Sequence, residues 1–239
     1  MGEGAGGARL AWRGVPAAVR LFAGAALGLL LAVAADREAH AWDADRMVRA
    51  AAAISQRAEQ SARNLRDLMV TLPARDVRAR LAALNDHFNR TIEFADDLVV
   101  WGREDHWASP VETMSRGAGD CEDYAIAKYF SLVAAGVPVS SLRLVYVRAM
   151  LSAPAEHPPR SQAHMVLAYY EGRSEDPLIL DNLVPQIRRA SERGDLTPVF
   201  SFNSEGLWQG AGQETAGDPM ARLSRWRDVV RKARQEGFE

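Results

Sequence analysis

The chain has 239 residues, 48% of them hydrophobic and 25% charged, values ordinary for a globular protein and contrary to a disordered one. Lys and Arg number 29 against 31 Asp and Glu, so the net charge of −2 offers no strongly basic surface for nucleic acid. A single cysteine excludes an intramolecular disulfide framework and a cysteine-based zinc site.

Arg9, Arg13 and Arg20 precede an apolar run, Leu21 to Ala35, which at 15 residues falls short of the roughly 20 needed to span a bilayer. Ala39-His40-Ala41 then supplies a small-residue cleavage site before Trp42. A basic start, short apolar core and A-x-A exit predict a secretory signal peptide over residues 1–41, with an uncleaved membrane anchor as the alternative. Either way the remaining 198 residues are expected outside the cytoplasm.

Residues 43–70 are predicted helical, with Asp43 or Asp45 capping and Met47, Ile54, Ala58, Leu65 and Leu68 at near-helical spacing. Pro73 ends that segment. Val77, Leu81, Leu84 and Phe88 predict a second helix over about 75–90. Residues 91–120, with Trp101, Trp107 and Pro110 among scattered glycines, read as a long ordered loop. A third helix is expected from Cys121 to about Ala135, ended by Gly136 and Pro138. Strands are predicted at Leu142–Val147, His164–Tyr169, Leu178–Asp181 and Pro198–Phe202. Residues 209–217 look like a linker, and Asp218–Glu236 like an amphipathic helix with Met220, Leu223, Trp226 and Val230 on one face. Helices followed by consecutive strands predict an α+β fold with an antiparallel sheet packed on helices.

Chemistry concentrates in Gly117-Ala118-Gly119-Asp120-Cys121-Glu122-Asp123. Glycines permit an unusual path into the helix, whose free N–H groups and positive dipole end fall at Cys121. That position favours a thiolate, and the same N–H groups can donate to an oxyanion. A thiol still needs a base and the base an orienting group. If the strands starting at His164 and ending at Asp181 are neighbours, the two side chains meet at one sheet edge and complete a Cys121–His164–Asp181 set. Taken alone, a lone cysteine is most often a small buried hydrophobe, but a core cysteine is rarely framed by carboxylates. His106, in the tryptophan loop, is the nearest rival for the base; His87 and His157 read as surface or partly buried residues. Asp120, Glu122 and Asp123 oppose a thiolate electrostatically, and such a frame of oxygen ligands suggests a neutralising cation, Ca²⁺ before a transition metal.

Leu84-Asn85, Phe88-Asn89, Trp101-Gly102, Trp107 to Glu112, Gly119 to Tyr129, His164 to Leu167, Leu180 to Leu183, Arg193 with Asp195-Leu196, and Phe202-Asn203 with Gly206 to Trp208 together resemble the bacterial transglutaminase-like cysteine proteinases of the LapG type. The resemblance covers about residues 45–208 and implies a papain-like, transglutaminase-like core. It implies Cys121 as nucleophile, His164 as general base and acid, Asp181 as orienter, and calcium on Asp120, Glu122 and Asp123. It further implies a periplasmic calcium-dependent endopeptidase that cleaves a large surface adhesin near its N-terminus, promoting biofilm dispersal, with an inner-membrane cyclic-di-GMP receptor as sequestering partner. The expected organisation is a signal peptide over 1–41, a transglutaminase-like cysteine protease domain over 42–208, and a linker with a C-terminal helix over 209–239. The same thiol chemistry would also serve acyl transfer to an amine. A non-enzymatic reading uses Trp101, Trp107 and the C-terminal helix to bind a partner.

Overall fold

The computed structural model describes residues 42–151, 160–172, 175–212 and 214–238. The expected signal peptide and His157 lie outside the described residues.

The expected helix over 43–70 is two helices, α1 (Ala44–Ala52) and α2 (Gln56–Met69). Ser55 makes the break: its extended backbone (φ −169°, ψ 161°) lets the hydroxyl accept from the Ala58 N–H at 3.1 Å, an N-cap that competes with continuing the first helix. Ile54 is exposed in the turn rather than part of the buried stripe. Helix α3 (Val77–Thr91) is capped by Asp76 and buries Leu81, Leu84 and Phe88 as the spacing predicts.

Residues 91–120 are more regular than a loop. Two short parallel strands, β1 (Glu93–Phe94) and β2 (Ala118–Gly119), pair with each other and enclose α4 (Asp97–Trp101) and α5 (Pro110–Arg116). Pro110 starts α5 rather than breaking the chain. It occupies the first turn, where its missing N–H costs nothing, behind a reciprocal capping box between Ser109 and Glu112. Helix α6 (Cys121–Ala134) runs through the core, with Tyr124 to Leu132 all buried. Gly136, at φ +83°, provides the left-handed residue that lets Val137 N–H turn back onto the Leu132 carbonyl.

A seven-stranded antiparallel sheet packs on α6 in the order β6-β5-β4-β3-β7-β8-β9. Its strands are β3 (Leu142–Leu151), β4 (Arg160–Tyr169), β5 (Leu178–Leu180), β6 (Arg188–Arg189), β7 (Leu196–Phe202), β8 (Leu207–Gln209) and β9 (Thr215–Gly217). The four predicted strands are present, but the central hairpin is longer, so His164 lies inside β4 opposite Val147 rather than opening the strand. Residues 209–217, read as linker, carry β9, which extends the sheet. The predicted C-terminal helix is divided into α7 (Pro219–Arg222) and α8 (Ser224–Gln235). Trp226 is fully buried, its ring in contact with Tyr129, Phe130 and Phe202. The two ends of the domain meet where Asp43 N–H donates to the Gly237 carbonyl at 2.7 Å. No helix among the described residues is long and apolar enough to cross a membrane.

Candidate active site and cation cluster

Cys121 is the first residue of α6 and follows directly from β2 through Asp120. The approach is tight: a Cβ on Gly119 would stand 2.5 Å from Asp123 Oδ2, so only glycine fits between strand and helix. Cys121 lines a cleft of about 490 Å³ together with His164, Met165, Trp107, Tyr146 and Phe200, and the Arg222–Arg225 segment forms part of its wall.

Strands β4 and β5 pair as neighbours, with Leu167 opposite Leu180, which brings His164 and Asp181 together. His164 Nε2 lies 2.8 Å from Asp181 Oδ1, with both side chains buried. Oδ1 also accepts the Leu183 N–H at 3.0 Å, and Oδ2 accepts Arg193 Nη2 at 2.9 Å. Asn89, on α3, donates to the Asp181 carbonyl at 2.9 Å. Burial alone would raise the Asp181 carboxyl, but the bonds from His164, Leu183 and Arg193 outweigh it and hold the group below its ordinary range. With Nε2 engaged by Asp181, the other ring nitrogen, Nδ1, is buried and without a hydrogen-bond partner.

The helix dipole is not the only influence on the Cys121 sulfur. Burial pushes the thiol up, and the Glu122 and Asp120 carboxylates push it further, against a smaller opposing effect from the Met165 backbone N–H. Sγ donates to Glu122 Oε2 at 3.0 Å. Carboxylates within hydrogen-bonding reach of the sulfur thus oppose the thiolate that the helix dipole favours.

Asp120 and Asp123 converge with Asp97, from α4, placing one oxygen of each within 4.8 Å of the others. Sequence reasoning missed Asp97, which lies more than twenty residues upstream and reaches the cluster through the β1–β2 pairing. Its signal was faint: an acidic pair, Asp96-Asp97, ahead of the tryptophan loop. Asp97 accepts the His106 N–H, and Asp123 Oδ1 accepts the Ala108 N–H at 2.8 Å. Each thus uses one oxygen to fix the loop backbone. The buried oxygens Asp97 Oδ1, Asp120 Oδ1 and Asp123 Oδ2 have no hydrogen-bond partner. Burial, then the neighbouring Glu122 carboxylate, and after it Asp123 and Asp97, pushes Asp120 up to about 10, and burial also raises Asp97 and Asp123. Three converging aspartates, each with a buried, partnerless carboxylate oxygen, fit a hard divalent cation. Glu122, expected in this set, turns to the sulfur and groups instead with Asp120 and Cys121.

His106 does not line the Cys121 cleft. It is buried against Trp101, 2.5 Å from Arg103 Nη2, and burial and that guanidinium lower its pKa. His87 sits on α3, where burial lowers its pKa. Sequence reasoning also missed Lys128, fully buried seven residues along α6 from Cys121 and pushed down to about 7 by burial, against the pull of Asp181. A lone lysine in the apolar run Tyr124–Val133 was its only signal.

A cysteine at a helix N-terminus and a histidine on the facing sheet, paired behind with a buried aspartate, line one cleft, an arrangement that suits thiol-dependent acyl transfer. The family model for bacterial transglutaminase-like cysteine proteinases (BTLCP) matches residues 53–196, and the chain belongs to that family. Among solved structures it is similar to EGTA-treated LapG of Legionella pneumophila, at 35% identity and a TM-score of 0.69, over 80% of this chain and 97% of that one. Calcium-bound LapG of the same organism matches at 34% identity and a TM-score of 0.67, over 80% and 98% of the two chains. No curated protein matches.

Proposed function

We propose that this protein is a calcium-dependent periplasmic cysteine endopeptidase that cleaves a large surface adhesin near its N-terminus and so promotes biofilm dispersal. The observation that carries the catalytic part is the buried His164–Asp181 pair, 2.8 Å apart, with Nδ1 left over beside the cleft that holds the lone thiol. Family membership supports a protein substrate. Export rests on the basic, apolar and A-x-A pattern of residues 1–41. Sequestration by an inner-membrane cyclic-di-GMP receptor rests on the resemblance alone.

In this reading Asp181 fixes the imidazole so that Nε2 carries a proton and Nδ1 is free to accept one. His164 Nδ1 takes the Cys121 proton once Sγ releases Glu122, and the sulfur attacks the scissile carbonyl. N–H groups at the start of α6 stabilise the oxyanion. His164 then returns the proton to the departing amine, and a water activated by the same imidazole hydrolyses the thioester. Asp97, Asp120 and Asp123 would hold calcium. Bound there, calcium would supply positive charge to offset the carboxylates around the sulfur, while Asp97 and Asp123 hold the tryptophan loop through the His106 and Ala108 N–H groups. Calcium-bound and EGTA-treated forms of LapG support calcium as the ion, and the ligand set rests on the carboxylate geometry of this chain.

The test is incubation of the purified protein, in calcium, with an N-terminal adhesin fragment, read by mass spectrometry. Two fragments with wild type and an intact substrate with Cys121→Ala are expected. Cleavage by Cys121→Ala ends the proposal, and a product joined to an amine shows acyl transfer instead.

A further inference from the structure

Behind the His–Asp pair the described residues hold a second ionic layer. Arg193 is 4% exposed and sits just after a short 3-10 turn, Ala190–Glu192. Its backbone is pinned on both sides: its N–H donates to the Ala190 carbonyl and its carbonyl accepts the Leu196 N–H, each at 3.0 Å. Its guanidinium joins two carboxylates. Nη2 donates to Asp181 Oδ2 at 2.9 Å and to Asp195 Oδ2 at 2.7 Å, while Nε donates to Asp195 Oδ1 at 2.9 Å. The Asp195 side chain is 38% exposed and that of Asp181 is not exposed at all. The chain of contacts Asp195–Arg193–Asp181–His164 therefore leads from the surface to the cleft.

We propose that Arg193 is a positioning residue for the thiol chemistry, fixing the Asp181 carboxylate so that Oδ1 is presented to His164 Nε2; this rests on the catalytic reading above. A carboxylate that bonds a histidine through one oxygen can still rotate about its χ angles. Here both oxygens are engaged, Oδ1 by His164 and Leu183 and Oδ2 by Arg193 Nη2, whose guanidinium is itself held by the two-pronged contact with Asp195, so the carboxylate plane is fixed. Lys128 also interacts with the Asp181 charge, but no hydrogen bond joins the two among the described residues. Lysine at 193 would keep the charge but not the fork. A misplacement of order 1 Å behind a catalytic group costs roughly 100-fold.

The experiment uses the purified, calcium-loaded protein and iodoacetamide. It records the alkylation rate of Cys121 against pH, together with the downfield proton resonance of the His164 Nε2–H. Arg193→Gln is expected to slow alkylation at neutral pH by about 10- to 100-fold, to move the reactive limb to higher pH, and to shift the Nε2–H resonance upfield. Arg193→Lys is expected to fall between, and it is the deciding variant if the glutamine form does not fold. A merely structural role would lower the melting temperature and leave profile and resonance in place, which overturns the proposal. Asp181→Asn separates the two levels. If it too leaves the wild-type profile, the catalytic reading itself fails; if it abolishes the profile while both Arg193 variants keep it, only the role of Arg193 is refuted.

Discussion

Replacing Asp97 with Asn tests the cation cluster through the residue that the sequence did not flag. One oxygen of each of Asp97, Asp120 and Asp123 lies within 4.8 Å of the others, where two like charges repel by about 3.5 kcal/mol at an effective dielectric of about 20. Protonation already relieves part of this in the ion-free protein, so the substitution should stabilise that form by only about 1 kcal/mol. With a divalent ion bound the sign reverses, and losing one anionic ligand should weaken binding by about 3 kcal/mol, or roughly 100-fold. At a calcium concentration 100 times the wild-type Kd, binding stabilises the wild type by about 2.7 kcal/mol. For a domain of this size that raises Tm by about 5–11 °C. Asp97→Asn at the same concentration should gain about 0.4 kcal/mol, a rise of 1–2 °C. Calorimetry with and without calcium, paired with a binding titration, measures both signs. Wild-type calcium affinity in Asp97→Asn refutes the assignment and shifts attention to the Asp120–Glu122 grouping.

Calcium binding should release protons. Asp120 is pushed up to about 10, so without the cation it carries a proton at pH 7 that the ion must displace, and burial raises Asp97 and Asp123 in the same direction. Titration calorimetry in buffers of different ionisation enthalpy should find about one proton or more released per ion, with affinity falling as pH drops from 7 to 5; no release contradicts the cluster as the site. Trp226→Ala should destabilise the protein by about 3–5 kcal/mol in denaturant unfolding, because the ring is fully buried against Tyr129, Phe130 and Phe202. A cost below about 1 kcal/mol would mean that α8 is not part of the core.

What was legible in the sequence was what local pattern controls. The stripe Val77, Leu81, Leu84 and Phe88 is one face of a helix whatever it packs against, and α3 follows it. Gly136 ends α6 because a left-handed residue is needed there. The juxtaposition of His164 with Asp181 followed from assuming that consecutive strands pair. The failures have local causes too. Ile54 kept the apolar rhythm across a break that Ser55 imposes by capping, and Pro110 was read as a breaker although Ser109-Pro110-Val111-Glu112 is a helix-start signature. Asp97 is a different kind of miss. Two-residue parallel strands carry no periodicity, so nothing local tells that Phe94 lies beside Gly119 and that α4 therefore delivers a carboxylate to Asp123. Arg193 is equally non-local, since its contact with Asp181 depends on where the 190s loop is laid against the sheet.

The claim that the Cys121 thiol hands its proton to His164 is tested most directly by the pH dependence of Cys121 alkylation in calcium, wild type against His164→Ala. The wild type is expected to react well below the ordinary thiol range near pH 8.5, as a thiolate–imidazolium pair, and His164→Ala to lose that low-pH reactivity. Two coincident curves rising only at or above that range would contradict it.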